Sequence, residues 1–324
     1  MTSTIVLKFT AALALTFAST GAFAQDYPTR PIRVIVSVPP GGVTDLAARN
    51  VMPRLAEIMG QQFLIENRPG AGGVIGVELA SKAAPDGYTL LMVSAAEMTV
   101  NPALLAKIPY NAVRDFVPIA PVSNTVMLIA AHPSQPVTNI RELIAAAKAR
   151  PGQLTFASAG NGTINHVTGE WFANLAGIEW IHVPYRGGGP ATQDVLGGQV
   201  PFGVLALSSA LPHVRSGKIK ALGVTSSQRV SFVSDWPTVA EQGLPALDAA
   251  VWVGLFAPAG TSAAVIARLN TETNKILAQK DVRDRFNAQG VEVLGGSADS
   301  LAAMIRRDQA RYAQLIKQYN IKPD

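Results

Sequence analysis

The chain has no cysteine among its 324 residues. That excludes disulfides, thiolate metal sites and a lipidated N-terminal cysteine that would tether the protein to a membrane. Its lysines and arginines are scattered and its net charge is only +5, so no electrostatic footprint for nucleic acid is present. The apolar run Phe9 to Ala18 is interrupted at Ser19, Thr20 and Gly21 and falls short of the roughly 20 residues that span a bilayer. There is no solenoid repeat and no low-complexity tract. Nucleotide and hydrolase motifs are missing as well. No lysine follows Gly42, as a P-loop would require, and in the run Gly70 to Gly76 the third glycine falls one position late for a dinucleotide loop. Ser158, His166 and Asp194 supply the residue types of a hydrolase triad, but Ser158 sits in ASAGNG and not in G-x-S-x-G. His166 and Glu170 form a helix-face pair without a third metal ligand. No catalytic residue, no metal and no cofactor is expected.

What is present begins with an export signal. Lys8 and the amino terminus provide positive charge, Phe9 to Ala18 an apolar core, and Ala22-Phe23-Ala24 a small-x-small cleavage site before Gln25. Cleavage after Ala24 leaves 324 − 24 = 300 residues, and the net charge falls from +5 to +4 because Lys8 is the only charged side chain removed. A free protein of a bacterial periplasm is expected, long enough for two domains at roughly 100 to 200 residues each.

The mature chain alternates strand and helix patterns, which argues for parallel pairing and an α/β fold. Three times a β-branched strand runs through a Gly- and Pro-rich loop into a helix start: Ile32 to Asp45, Leu154 to His166 and Trp180 to Gln193. The first-turn amides of such helices lack intrahelical acceptors, and the helix dipole adds positive potential, so an anion can be held without a charged side chain. Thr44 or Asp45 is the expected cap of the first helix, Pro53 an expected kink inside it, and Gly72 to Ala83 a further helix. Two long apolar stretches, Val122 to Ala131 and Ala249 to Ala257, read as crossing strands between domains. They divide the chain into residues 25–125 with 250–324 and residues 126–249, with ligand between them.

The ordered motifs YPTRPIRVIV, PPGG, ENRPGAGG, APDGYTLL, NPAL, DFVPIAPV, SAGNGT followed by His166, HVPYRGGGPA, LPHVRSGKIKALGVTSSQR and GLFAPAGT run along the mature chain. Together they resemble the periplasmic receptors of tripartite tricarboxylate transporters, the Bug-type solute-binding proteins. The resemblance implies a type II periplasmic-binding fold of two α/β domains joined by two crossing strands. It also implies a small organic carboxylate as ligand and the membrane subunits of a tripartite transporter as partner; a monomer is expected. Carried onto this sequence, the ligand loops are Pro39 to Asp45, Ser94 to Asn101, Ser158 to His166 and Tyr185 to Gly189, with Asp194 on the helix that follows. The binding set is then Pro40, Gly41, Gly42, Thr44, Asp45, Ser94, Asn101, Ser158, Gly160, Gly162, Thr163, His166, Tyr185, Arg186, Gly187 and Asp194. Ser158 and Thr163 offer hydroxyl donors, and the glycines let the backbone approach a ligand closely. Arg186 reads equally as a ligand contact or a rim salt bridge, and Asp194 as an acceptor for loop amides; Trp252 reads as core or hinge packing.

Two positions depart from the family pattern. Val38 stands where many relatives carry an aromatic residue, and Leu205 where many carry an acid. A buried ammonium without a carboxylate partner is strongly disfavoured, so an acid with an uncharged body is expected to outbind an amino acid of the same size. Glu97 and Asp194 are the acceptors that would reverse that order. Two other functions remain open at this stage, a sensor that reports the same ligand to a signalling partner and an exported hydrolase or isomerase.

Overall fold

The computed structural model describes residues 27–323, so the export signal and its cleavage site lie outside the described residues. Strand β1 (Ile32–Val36) is followed by helix α1 (Val43–Met59), β2 (Phe63–Asn67), α2 (Val74–Ser81) and β3 (Thr89–Ser94). β1 lies between β2 and β3, all parallel, and its run of Ile and Val is what a strand covered on both faces requires. A helical stretch, Ala96–Val100 continuing into α3 (Asn101–Leu104), leads to the long strand β4 (Phe116–Ala131).

β4 joins the two halves of a curled mixed sheet. From Phe116 to Val126 it pairs antiparallel with β9 (Ala250–Pro258). From Met127 to Ala131 it pairs with β7 (Phe202–Ala206), and from Leu128 to Ala131 also with β8 (Lys220–Val224). Between β4 and β8 the chain forms α4 (Ile140–Ala149), β5 (Leu154–Ser158), α5 (Ile164–Ala176), β6 (Trp180–Pro184), α6 (Gly188–Leu196), β7 and α7 (Leu207–Arg215). β5 pairs in parallel with both β6 and β7. The strand order is β2-β1-β3-β9-β4-β7-β5-β6, so β4 carries the chain out of the first half and β9 returns it. Helices α8 (Ala263–Leu277) and α9 (Lys280–Ala288), the short β10 (Glu292–Val293) against β4, and α10 (Ala298–Gln318) close the structure. Helix α10 buries Leu301, Ile305, Tyr312 and Leu315, and its buried Asp308 accepts a hydrogen bond of 2.7 Å from the Trp252 indole on β9. Trp252 therefore ties the returning strand to the last helix. Among the described residues no helix is long and apolar enough to cross a membrane.

Several local expectations are corrected. Helix α1 starts at Val43 with Gly42 as its N-cap, ahead of Thr44 and Asp45, because the Asp45 carboxylate turns back to accept from the Gly41 amide at 2.8 Å. Pro53 lies inside the helix, as expected, and with Arg49 on its solvent-exposed face, where the carbonyl left without an intrahelical donor meets water. Helix α2 starts later than Gly72, since Gly72 and Gly73 hold positive φ. Two helical segments were not anticipated. Ala96–Leu104 is helical where Ser94 to Asn101 is expected as a ligand loop; Pro102 sits at the start of α3, where its missing N–H costs nothing. Helix α7 is short and contains Pro212.

Candidate functional site

One cavity of about 700 Å³ collects the loops that follow β1, β2, β3, β5, β6 and β7. In α/β sheets the carboxyl ends of the strands are where a crevice can form, because the crossovers place loop and helix starts there. Five helices begin at this cavity: α1, α2, α5, α6 and α7 have Gly42, Gly73, Thr163, Gly187 and Ala206 as N-caps, all of them on its wall. Only Thr163 provides a side-chain cap. The other helix starts keep first-turn amides available, with the positive end of each dipole toward the cavity. Arg186 and Glu97 are the only acidic or basic side chains among the described residues that line it.

Pro40, Gly41, Gly42, Ser94, Gly160, Thr163, Tyr185, Arg186 and Gly187 line the cavity. Thr44, Asp45, Asn101, Ser158, Gly162, His166 and Asp194 stand behind its wall and act on the loops. The Ser158 hydroxyl is 2.5 Å from His182 Nε2 and accepts from the Gly160 amide at 3.0 Å. Thr163 donates its hydroxyl to the Gly160 carbonyl at 2.6 Å and accepts from the His166 amide at 3.3 Å. Both hydroxyls expected to serve a ligand are thus spent on loop geometry. The Gly162 amide donates to His166 Nδ1 at 3.4 Å, and the His166 ring stacks on His182 with centroids 4.3 Å apart. Asn101 donates to the Gly72 carbonyl at 2.9 Å. Thr44 is fully buried, its hydroxyl without a partner. Asp194 accepts from the Tyr185 phenol at 2.6 Å, and burial together with that carboxylate pushes the phenol up to about 12. Arg186 is exposed, and no ion pair to it is present among the described residues.

The two loops of the second half are locked to each other through main chain. Tyr185 N donates to the Ser158 carbonyl and Gly187 N to the Ala159 carbonyl, at 3.1 and 3.0 Å. Gly160 adopts φ +125°, and a Cβ placed there would lie 2.6 Å from the Tyr185 carbonyl oxygen, so only glycine permits this approach.

Asp45 performs the corresponding task in the first half. Burial alone would raise its pKa, but hydrogen bonds from Arg49, from the Gly41 amide and from Asn67 outweigh that and hold the carboxyl below its ordinary value. A depressed carboxyl contributes stability that is complete above its unfolded-state value, about 3.9, and lost as pH falls through its folded value. The melting temperature of the wild type should therefore fall more steeply on acidification below about pH 4 than that of Asp45→Asn; parallel curves would show that Asp45 is not coupled to the fold.

Sequence reasoning did not assign Ser37, the turn Pro69 to Gly73, or Ser208 and Ser209 at the start of α7 to the site, and all of them line the cavity; Glu97, named from the sequence only as an acceptor for an ammonium, lines it too. The glycine run at 70–73 fits no dinucleotide loop, yet it follows β2 as the three recognised loops follow β1, β5 and β6. Leu205, offered as a departure in the pocket, is 1% exposed in the core of the second half and does not reach the cavity, whereas Val38 does.

A cleft ringed by helix starts, between two α/β halves linked by antiparallel crossing strands, is the architecture of a periplasmic binding protein. The chain belongs to the tripartite tricarboxylate transporter receptor family, whose model matches residues 47–321. It is 37% identical to Protein BugT of Bordetella pertussis over 300 residues, covering 92% of each chain. It is also similar to the solved structure of R. palustris Rpa4515 with adipate, at 31% identity and TM-score 0.89, over 92% of this chain and 100% of that one. MatC from Rhodopseudomonas palustris with bound malate matches at 32% identity and TM-score 0.84, over 90% of this chain and 100% of that one. Receptors of this family are periplasmic solute-binding proteins.

Proposed function

We propose that this receptor captures one small organic carboxylate in the cleft and delivers it, unaltered, to the membrane subunits of a tripartite tricarboxylate-type transporter. The observation that carries this reading is the convergence of helix starts without side-chain caps on a cavity whose only lining cation is Arg186. Such a wall favours an anion small enough for about 700 Å³ and gives it directional hydrogen bonds, which are about twice as strong when the acceptor is charged. Adipate and malate in the related structures support the same ligand class. Residues 25–125 with 250–324 and residues 126–249 are taken as the two bodies that close on the ligand, about β4 and β9. Val38 adds an apolar wall, which favours an uncharged ligand body.

A melting screen of the mature protein with adipate, malate, succinate and benzoate tests the reading. A ligand that binds only the native state adds about 2.7 kcal/mol at one hundredfold over its Kd, so at least one acid should raise the melting temperature and, on saturation, reduce the radius of gyration in solution scattering. Recovery of a chemically altered acid after incubation would falsify the receptor reading.

A further inference from the structure

The cavity holds a group that anion capture by helix starts does not use. Glu97 is 2% exposed and lines the cavity together with Ser37 and Ser94. Its two carboxyl oxygens are each 2.5 Å from a serine hydroxyl, Ser37 Oγ on one side and Ser94 Oγ on the other. The carboxyl is packed against the glycine turn: a Cβ on Gly73 would fall 2.4 Å from Glu97 Oε1. Around it, the Tyr110 phenol donates to the Glu97 main-chain carbonyl at 2.7 Å, and from α10 the neutral Gln309 donates to the Met98 carbonyl at 2.9 Å. Asp308, the buried acid of α10, is already bound by Trp252 and Arg307. Among the described residues no cation hydrogen-bonds Glu97, and burial holds its carboxyl above the usual carboxylate range.

Counting protons gives the wall two states. An ionised Glu97 consumes both serine O–H groups as donors and leaves only acceptors facing the cavity. A protonated Glu97 has one O–H of its own, so one serine accepts from it and that serine's hydroxyl hydrogen is released. We propose that Ser37, Glu97 and Ser94 form a second recognition site that meets the ligand with Glu97 neutral, donating one serine O–H to an oxygen at the far end of the acid. The class of ligand it selects carries a second carboxylate, a carbonyl or a hydroxyl, and it excludes an ammonium group, which needs the ionised state. This inference rests on the carboxylate-receptor reading and names what the other end of that ligand must be.

The test combines calorimetry with infrared spectroscopy on the mature protein, using adipate, hexanoate and 2-aminoadipate as probes. The carbonyl stretch of a protonated carboxyl should be present in adipate-saturated wild type at neutral pH and absent from Glu97→Gln. Glutamine, like the protonated carboxyl, is neutral and presents a donor on one side and an acceptor on the other, so Glu97→Gln should bind adipate within about threefold of wild type. Of Ser37→Ala and Ser94→Ala, small deletions that preserve the fold, the one that removes the donating hydroxyl should weaken adipate about tenfold, the effect of losing a hydrogen bond to a charged group, while barely changing hexanoate. Tighter binding of 2-aminoadipate than of adipate, or loss of the infrared band on adipate binding, overturns the proposal. Adipate affinity that ignores both serines overturns it too, and leaves the receptor reading intact. If none of the probes, nor malate, succinate or benzoate, binds the wild type, the receptor reading falls and this proposal with it.

Discussion

Truncating Phe156 to alanine is expected to lower unfolding stability by about 3 to 5 kcal/mol. The side chain is fully buried on β5, stacked on Trp180 with ring centroids 4.3 Å apart and on His182 at 4.9 Å. Helix α5 crosses directly over it: a Cβ on Gly169 would lie 2.3 Å from the phenylalanine ring. Removing the ring deletes two aromatic contacts and leaves a void that the stacked neighbours and the close-packed helix cannot fill. Because α5 carries Thr163 to the cavity wall, the variant should also lose ligand affinity. Urea denaturation with an unchanged m-value and a lowered midpoint checks the stability effect; a midpoint within error of wild type would mean that α5 and β6 collapse onto the vacancy.

Replacing Gly160 with valine is expected to abolish carboxylate binding while leaving most of the fold intact. Two costs coincide. The φ of +125° is one that β-branched residues do not adopt, and the new Cβ would press on the Tyr185 carbonyl at 2.6 Å. Backbone strain of this kind costs on the order of 1 to 3 kcal/mol, and the contact adds to it. The chain can relieve both only by parting the 158–160 and 185–187 loops, whose main-chain hydrogen bonds set the spacing of the α5 and α6 starts. Calorimetric titration with a bound acid, beside a melting curve of the unliganded protein, separates the two effects. Retained affinity would place the ligand away from these loops.

Much of this molecule is legible in the chain. The strand-loop-helix segments at 32–45, 154–166 and 180–193 announce helix starts that hold no charge of their own, and β-branched runs with short separations give the alternating order of strands and helices. The two apolar stretches that became β4 and β9 are visible because they are too long and too uniformly apolar for a half-exposed strand. Spacing is less informative about short helices that contain proline, and so α3, the helical turn before it and α7 are not assigned from the sequence.

The sequence by itself determined the class of fold, the export signal as a reading, and the family, because periodicity, turn residues and ordered motifs are local and survive without knowledge of what packs against them. It could not determine which side of a wall a side chain occupies. Ser158 and Thr163 look like ligand donors until their partners, His182 Nε2 and the Gly160 carbonyl, are seen to have taken them. Glu97 reads from the sequence as an acceptor for an ammonium until the fold buries it between Ser37, sixty positions earlier, and Ser94. Hydrogen-bond satisfaction and desolvation depend on atoms brought together from distant parts of the chain, and these two quantities decide whether a polar group serves the ligand or the scaffold.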